Sequence, residues 1–350
     1  MSDTNSLTAE ILETSASGYA SAASTLLLQS GDSHLPAGWG SLEWKSHLKQ
    51  RILELAAAVR VNQPSLFARR INWLRRAVRA RGSADIDVRT ALDSIRAALG
   101  QELPDNLKGA VEQPIRLALA EFDSEIEPEK SELDGSTREG TLGLKYLTAC
   151  LEAQSEEAIK LILDALETDL TPEAVYTDIL LPAQREIGQL WHIGDVRISE
   201  ERLVTETTRA VMALIVHQYA PPIVPGQIVV AASVAGNAHD IGLRALSNLF
   251  RLAGWRSIFL GANTPSTEIA LAAQAFDAHL VLLSATLTTQ LGTLKPVIEK
   301  IRKIANNSKI LIGGLALEDS PNLWKQLGAD GYAADIKSAV ETGTSLISND

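Results

Sequence analysis

His239 stands between Asn237 and Asp240 in the run Asn237-Ala238-His239-Asp240-Ile241-Gly242. An imidazole is a common nitrogen donor to transition metals, and its second nitrogen is ordinarily held by a nearby oxygen. Asn237, two residues ahead, carries a carboxamide oxygen suited to that task. The run lies between an apolar stretch, 227–233, and an amphipathic stretch, 242–253, which Gly254 closes. It therefore reads as the loop at the carboxyl end of a first strand, where open α/β sheets bind ligands.

The elements that must position this loop follow from the spacing of apolar residues. After the helix breaker Ala220-Pro221-Pro222-Ile223-Val224-Pro225-Gly226, strands are expected at 227–233, 257–260, 280–284, 309–312 and 331–333. Helices are expected at 242–253, 266–276, 291–305 and 321–327, with one more at the end of the chain. Strand and helix in alternation predict a five-stranded, doubly wound parallel sheet over 226–350. Ahead of it, 141–220 has helical periodicity throughout, with helices near 142–153 and at 155–166, 171–191 and 199–218. Thr171-Pro172 is a good start signal, a Thr cap followed by Pro in the first turn. These four helices predict a bundle. Residues 124–140 are polar and acidic and read as a linker. Residues 1–123 form a helical domain with clear pieces at 44–61, 64–81, 87–99 and 105–122.

Composition bounds the function. The 350 residues carry a formal charge of −11, which argues against broad nucleic-acid binding. Cys150 is the single cysteine, which excludes internal disulfides and cysteine-built zinc or iron–sulfur sites. The first residues lack a signal-peptide pattern, and no apolar run has membrane-spanning length. A soluble cytoplasmic protein is expected.

The residues carry a family resemblance. Asn237-x-His239-x-x-Gly242 follows the first strand, Ser284-x-Thr286 the third, and Gly313-Gly314 the fourth. Over roughly 141–345 the chain resembles the cobalamin-binding domain shared by methionine synthase, corrinoid methyl carriers and cobalamin photoreceptors. That family has Asp-x-His-x-x-Gly, Ser-x-Leu and Gly-Gly on the corresponding elements of a flavodoxin- or Rossmann-like sheet. The resemblance implies a cobalamin bound with its own base off the cobalt and His239 as the lower ligand. Asn237, Asp240, Ile241, Gly242, Ser284, Thr286, Gly313 and Gly314 would be cofactor-binding: Asn237 accepts the imidazole N–H, Gly242, Gly313 and Gly314 let the nucleotide tail approach, Thr286 lies in the tail pocket and Ser284 bonds the displaced base. Asn237 replaces the family's Asp, which predicts a less basic imidazole and a weaker, easily displaced lower ligand. Thr286 replaces the Leu. The plain alternative is an ordinary flavodoxin-like domain whose histidine sits at a helix start.

In the helical block, Trp191-His192 is followed ten residues after the Trp by Glu201-Arg202. This resembles the cap of cobalamin photoreceptors, Trp-His followed by Glu-His. It implies that Trp191, Ile198 and Glu201 cover an adenosyl group on the upper face. His192 would be an upper ligand once light has broken the Co–C bond. Arg202 stands where the family has the second histidine. Plain packing for Trp191 and an exposed helix end for His192 are the alternatives.

The N-terminal block has no helix-turn-helix or zinc-finger pattern, so DNA is not an expected partner. Arg69, Arg70, Arg75, Arg76, Arg79 and Arg81 alternate with Phe67, Ile71, Trp73 and Leu74. One reading is an amphipathic helix with a solvated Arg face. Another is a site for an anionic chromophore, with Arg69, Arg70 and Arg76 on carboxylates and Trp39, Trp44 and Trp73 against a flat ring. The layout resembles the photocobilins, which adds biliverdin as a second expected cofactor. His34 and His47 are further candidates for that pocket, while Cys150 lies in the cap and is no bilin anchor.

The expected function is light sensing through adenosylcobalamin, with a homo-oligomer and an unknown effector protein as partners. No catalytic residue is assigned, so the protein is not expected to be an enzyme. The alternatives are a corrinoid methyl carrier serving a methyltransferase and a cobalamin-responsive regulator without photochemistry.

Overall fold

The computed structural model describes residues 3–29, 41–80, 85–125, 130–318, 320 and 322–348. They divide into two units, Met1–Pro128 and Glu129–Asp350.

The first unit is helical: α1 (Asp3–Thr14), α2 (Ala16–Gln29), α3 (Ser41–Arg60), α4 (Pro64–Ala80), α5 (Asp85–Glu102) and α6 (Asp105–Ala120). Its core contains Leu12, Leu48, Ile52, Leu55, Phe67, Ile71 and Leu92, all fully or almost fully buried. Helices α1 and α2 escape the sequence reading because α2 buries mostly small residues, Ala16, Ala20, Ala23 and Ser24, beside Tyr19 and Leu27. Small side chains blur the 3.6-residue apolar signal while letting helices approach closely.

The expected solvated arginine face of α4 needs correction. Arg75 is buried; it donates to the carbonyl of Glu121 and, at 3.4 Å, to that of Ser124. Its guanidinium also lies 4.4 Å from the centre of the Phe122 ring. A cation thus closes the carbonyl end of α6, where its charge is favourable.

The second unit opens with a four-helix cap: α7 (Arg138–Leu151), α8 (Ser155–Leu166), a broken third helix, and α11 (Ile198–Tyr219). Thr137 and Thr171 cap their helices through their hydroxyls, accepting from Gly140 N (3.0 Å) and Ala174 N (3.1 Å). The continuous helix expected over 171–191 is not found. It consists of α9 (Pro172–Ala174), a π segment Val175–Leu180, and α10 (Leu181–Ile193). Pro182 has no N–H for the Asp178 carbonyl and would crowd it, which accounts for a widened turn just ahead. Gly194, at φ 92°, ends α10.

Within the span read as a linker, 124–140, residues 131–133 are bound to the cap. Leu133 is buried in the cap core, and Glu186 on α10 accepts from Ser131 Oγ (2.9 Å) and Glu132 N (2.7 Å). Its polarity reflects hydrogen bonding to the cap.

The sheet follows: β1 (Ile228–Val234), α12 (Ile241–Leu252), β2 (Arg256–Thr264), α13 (Ser266–Ala275), β3 (Leu280–Ser284), α14 (Leu291–Ile304), β4 (Lys309–Gly313), α15 (Leu315–Glu318), α16 (Leu323–Leu327), β5 (Gly331–Tyr332) and α17 (Ile336–Ser348). All strands are parallel, in the order β2-β1-β3-β4-β5. This is the flavodoxin-like, Rossmann-like order expected, with its switch point between β1 and β3. Strand β2 runs longer than the expected 257–260, and its register against β1 slips twice, between Phe259 and Gly261 and between Gly261 and Thr264. Cap and sheet share one core, in which Ala245 and Leu249 of α12 join Tyr146, Ile162, Tyr176, Val211 and Met212.

Candidate functional site

The loop after β1 is fixed from within. Asn237 is 0% exposed. Its Oδ1 accepts the backbone N–H of His239 (3.1 Å), and its Nδ2 donates to the carbonyl of Ser284 (3.1 Å). The expected contact between Asn237 and the imidazole is therefore replaced by one to the main chain. A carboxamide, with one acceptor and one donor arm, suits these two partners, whereas a carboxylate would have no proton for Ser284.

His239 itself is held at both backbone ends. Its carbonyl accepts from Ser233 Oγ (3.1 Å), its N–H from the other side goes to Asn237, and its side chain is exposed. The ring is a presented donor on an immobilised backbone. Among the described residues no group of three or more His, Cys, Asp or Glu side chains could hold a free metal ion. A lone imidazole suits a metal whose remaining ligands come with a macrocycle.

Neighbouring loops lock this one in place. Gln290 Nε2 donates to the Gly236 carbonyl (3.0 Å), while its Oε1 accepts from Thr286 N and Leu287 N, both at 2.9 Å. From β2, Asn263 Oδ1 accepts from Gly236 N (2.7 Å) and Asn263 N donates to the Asn237 carbonyl (2.9 Å). Neither Gln290 nor Asn263 was singled out from the sequence, since Gly236, the residue both of them hold, lies 54 and 27 residues away. Their polar side chains beside expected strand ends were the only signal.

Gly314 sits at φ 104°, and a Cβ there would stand 2.3 Å from the Ala285 carbonyl oxygen and 2.9 Å from Ser284 Oγ. Backbone packing between the β3 and β4 loops alone therefore demands glycine. At Gly313 the nearest atom to a Cβ would be Ala333 O, at 3.3 Å, and at Gly242 nothing lies within 4 Å. Gly242 and Ile241 open α12, Gly242 exposed and Ile241 half-buried.

Asp240 is buried, and its carboxylate divides between two arginines. Oδ1 takes Arg209 Nη2 of α11 at 2.6 Å and Oδ2 takes Arg244 Nη2 of α12 at 3.4 Å. Arg209 is a further residue that sequence reasoning missed.

On the cap, Trp191 is 40% exposed and Ile198 is exposed, while His192 next to Trp191 is buried. The exposed helix-end alternative for His192 does not hold. Glu201 is half-buried and accepts from Thr205 Oγ1 (3.0 Å). Thr205 also meets Gln184 Oε1 (3.0 Å), and Gln184 Nε2 donates to Thr208 Oγ1 (2.8 Å), itself 2.8 Å from Tyr146 OH. A polar chain thus runs from Glu201 into the cap. Burial pushes the Tyr146 phenol well up and the Cys150 thiol up to about 11.

In the first unit, Trp44 is buried, edge-on to His47 with ring centres 5.6 Å apart. Arg70 lies 4.1 Å over Trp73 and 3.3 Å from Glu54, which also binds the buried Arg51 at 2.8 Å. Arg69 is exposed and Arg76 half-buried. Trp39, His34 and Arg81 lie outside the described residues.

Residues 227–341 match the family model of the B12 binding domain, and residues 144–215 match a second B12 binding domain model. A corrinoid protein of Desulfitobacterium hafniense (strain Y51) is 25% identical over 207 residues, 57% of this chain and 94% of that protein. The HTH-type transcriptional repressor CarH of Myxococcus xanthus is 23% identical over 171 residues, 49% of this chain and 56% of the repressor. Among solved structures, the monomethylamine corrinoid protein of Methanosarcina barkeri has the same fold, with a TM-score of 0.51 at 16% identity over 58% of this chain and 96% of that one. No helix among the described residues is long and apolar enough to cross a membrane. Residues 144–215 and 227–341 are thus the two parts of a B12-binding unit in the cobalamin-binding superfamily, and the cofactor class they indicate is a cobalamin or related corrinoid.

Proposed function

We propose that the second unit binds adenosylcobalamin, with His239 as the lower cobalt ligand and Trp191, Ile198 and Glu201 over the upper face, and that the protein is a light sensor. The observation that carries this reading is the exposed His239 ring on a backbone pinned by Asn237 and Ser233. The cofactor would supply a light-labile cobalt–carbon bond. The chain's part is to hold the imidazole in place, to cover the upper face with the Trp191 indole, and to keep Glu201 oriented through Thr205. Asp240, Ile241, Gly242, Ser284, Thr286, Gly313 and Gly314 are assigned to the tail side. His192 is the candidate upper ligand after illumination; being buried, it must first move.

Loading the purified chain with adenosylcobalamin in the dark and illuminating it with green light tests the reading. The absorption spectrum and the elution volume are both expected to change, since a change of oligomeric state is the proposed output to an effector. Unchanged spectrum and elution volume would rule out the sensor.

A second reading is a corrinoid methyl carrier for a methyltransferase. It is favoured by the corrinoid protein of D. hafniense, which matches over 94% of its length. Methylcobalamin binding with no light-dependent change of size is its signature. For the first unit the proposal is a bilin site formed by Trp44, Trp73, Arg69, Arg70 and Arg76. A far-red absorption band after adding biliverdin is the expected result.

A further inference from the structure

Asp240 occupies the N-cap position of α12, yet its side chain makes no capping bond. Aspartate there normally accepts a backbone N–H of the first turn, worth about 1 kcal/mol. Here the carboxylate points elsewhere. Arg209, about midway along α11, takes Oδ1 at 2.6 Å, and Arg244, one turn into α12, takes Oδ2 at 3.4 Å. The pair joins the cap to the residue next to His239. Asp240 is only 5% exposed, so the bond is shielded from solvent and its removal would leave a buried charge.

The two arginines are not equivalent. Arg244 sits four residues along on the helix that Asp240 begins, and its guanidinium also rests 4.4 Å from the centre of the Phe259 ring. It can only brace Asp240 locally. Arg209 belongs to a different element, and its other partner is Glu206 on its own helix, at 3.3 Å. Among the described residues, Arg209 is the cap side chain that this carboxylate meets.

We propose that Arg209 and Asp240 are positioning residues for His239. Their clasp ties the ligand loop to α11, so that the stance of the cap sets how firmly the imidazole is presented. The loop-fixing part stands on the protein alone, whereas the coordination part rests on the cobalamin reading above.

The experiment compares Arg209→Met, Arg209→Lys and Arg244→Met in the full chain. Arg209 is one-third exposed, so its replacement leaves the core packing intact. Without cofactor, hydrogen exchange of the His239 amide, which bonds Asn237 Oδ1, is expected to quicken on the order of tenfold in R209M, with β3 amides unchanged. R209K is expected to restore most of the protection, and R244M to have the smaller effect. Unchanged exchange at the His239 amide in R209M overturns the clasp. In the cob(II)alamin-loaded protein, electron paramagnetic resonance reads whether one nitrogen is bound axially. The nitrogen-split fraction is expected to fall severalfold in R209M and to recover in R209K. If that fraction stays at the wild-type level while exchange quickens, the positioning role is overturned and the clasp stands as structural. If wild type takes up no cobalamin, the functional reading falls, and the exchange measurement still decides the clasp.

Discussion

Asn237 Nδ2 reaches the carbonyl of Ser284 at 3.1 Å and so bridges the loops after β1 and β3, the two strands that flank the topological switch point of the sheet. The same side chain holds the N–H of His239. One buried carboxamide therefore sets both the width of the crevice and the stance of its histidine.

Asn237→Asp turns the donor arm into an acceptor facing the Ser284 carbonyl. The buried bond is lost and two oxygens are opposed, so a destabilisation of about 1–3 kcal/mol is expected. Urea unfolding followed by circular dichroism measures it. A variant as stable as wild type would mean that Gln290, which joins Gly236 to Thr286 and Leu287, is enough to hold the two loops.

His239→Ala should leave the fold almost untouched, within about 0.5 kcal/mol, because the structural contacts of His239 are made by its backbone. Axial nitrogen coupling in the cob(II)alamin-loaded protein should vanish. Persistence of that signal in a well-folded His239→Ala protein would contradict the assignment of the lower ligand.

Gly314→Ala meets two obstacles, a left-handed backbone and a Cβ 2.3 Å from the Ala285 carbonyl. A loss on the order of 3 kcal/mol or more is expected. Gly242→Ala, with nothing within 4 Å of the added methyl, should be no less stable than wild type. The contrast between the two melting temperatures is the measurement; equal shifts would refute the packing argument.

His47 provides a pH dependence. Burial, and then the nearby Arg51 charge, lower its pKa from 6.5 to about 3. Below pH 6.5 the unfolded chain takes up a proton that the folded chain refuses. The stabilising contribution is thus complete above pH 6.5 and declines as pH falls towards 3, by at most about 1.4 kcal/mol per pH unit. Urea midpoints at pH 7 and pH 5 should differ more in wild type than in His47→Gln. An identical pH dependence in both proteins would show that His47 titrates normally.

Cys150 is buried, and its thiol pKa rises from 9.0 to about 11, chiefly through burial. Its thiolate fraction near neutral pH is then about a hundredfold below that of a free thiol. Iodoacetamide should label the native chain far more slowly than the urea-unfolded chain. Comparable rates would place the thiol at the surface.

The five parallel strands and the His239 loop were legible in the sequence because strand, loop and helix follow one another locally, whereas the flavodoxin-like arrangement came with the family resemblance. Strands β1, β3 and β4 are apolar runs closed by Ser or Gly, and period alone locates them. The partners that fix the loop were not legible. Arg209, Asn263 and Gln290 act across 31, 27 and 54 residues, and no spacing rule joins them to Asp240 or Gly236. Polarity misled at 124–140, where Glu132 and Ser131 face partners on the cap while Leu133 anchors the segment. Charge misled at Arg75, whose guanidinium is consumed by backbone carbonyls that only folding assembles.

The broken third helix of the cap has a rotational consequence. Trp191 and His192 are consecutive on α10, so their side chains leave the axis about 100° apart. One meets solvent and the other the interior. The wide π turn at Val175–Leu180, whose bonds close one residue further along than those of an α-helix, lies directly upstream. A slip of one residue there turns α10 like a dial by the same angle, exchanging indole for imidazole at whatever surface the helix addresses.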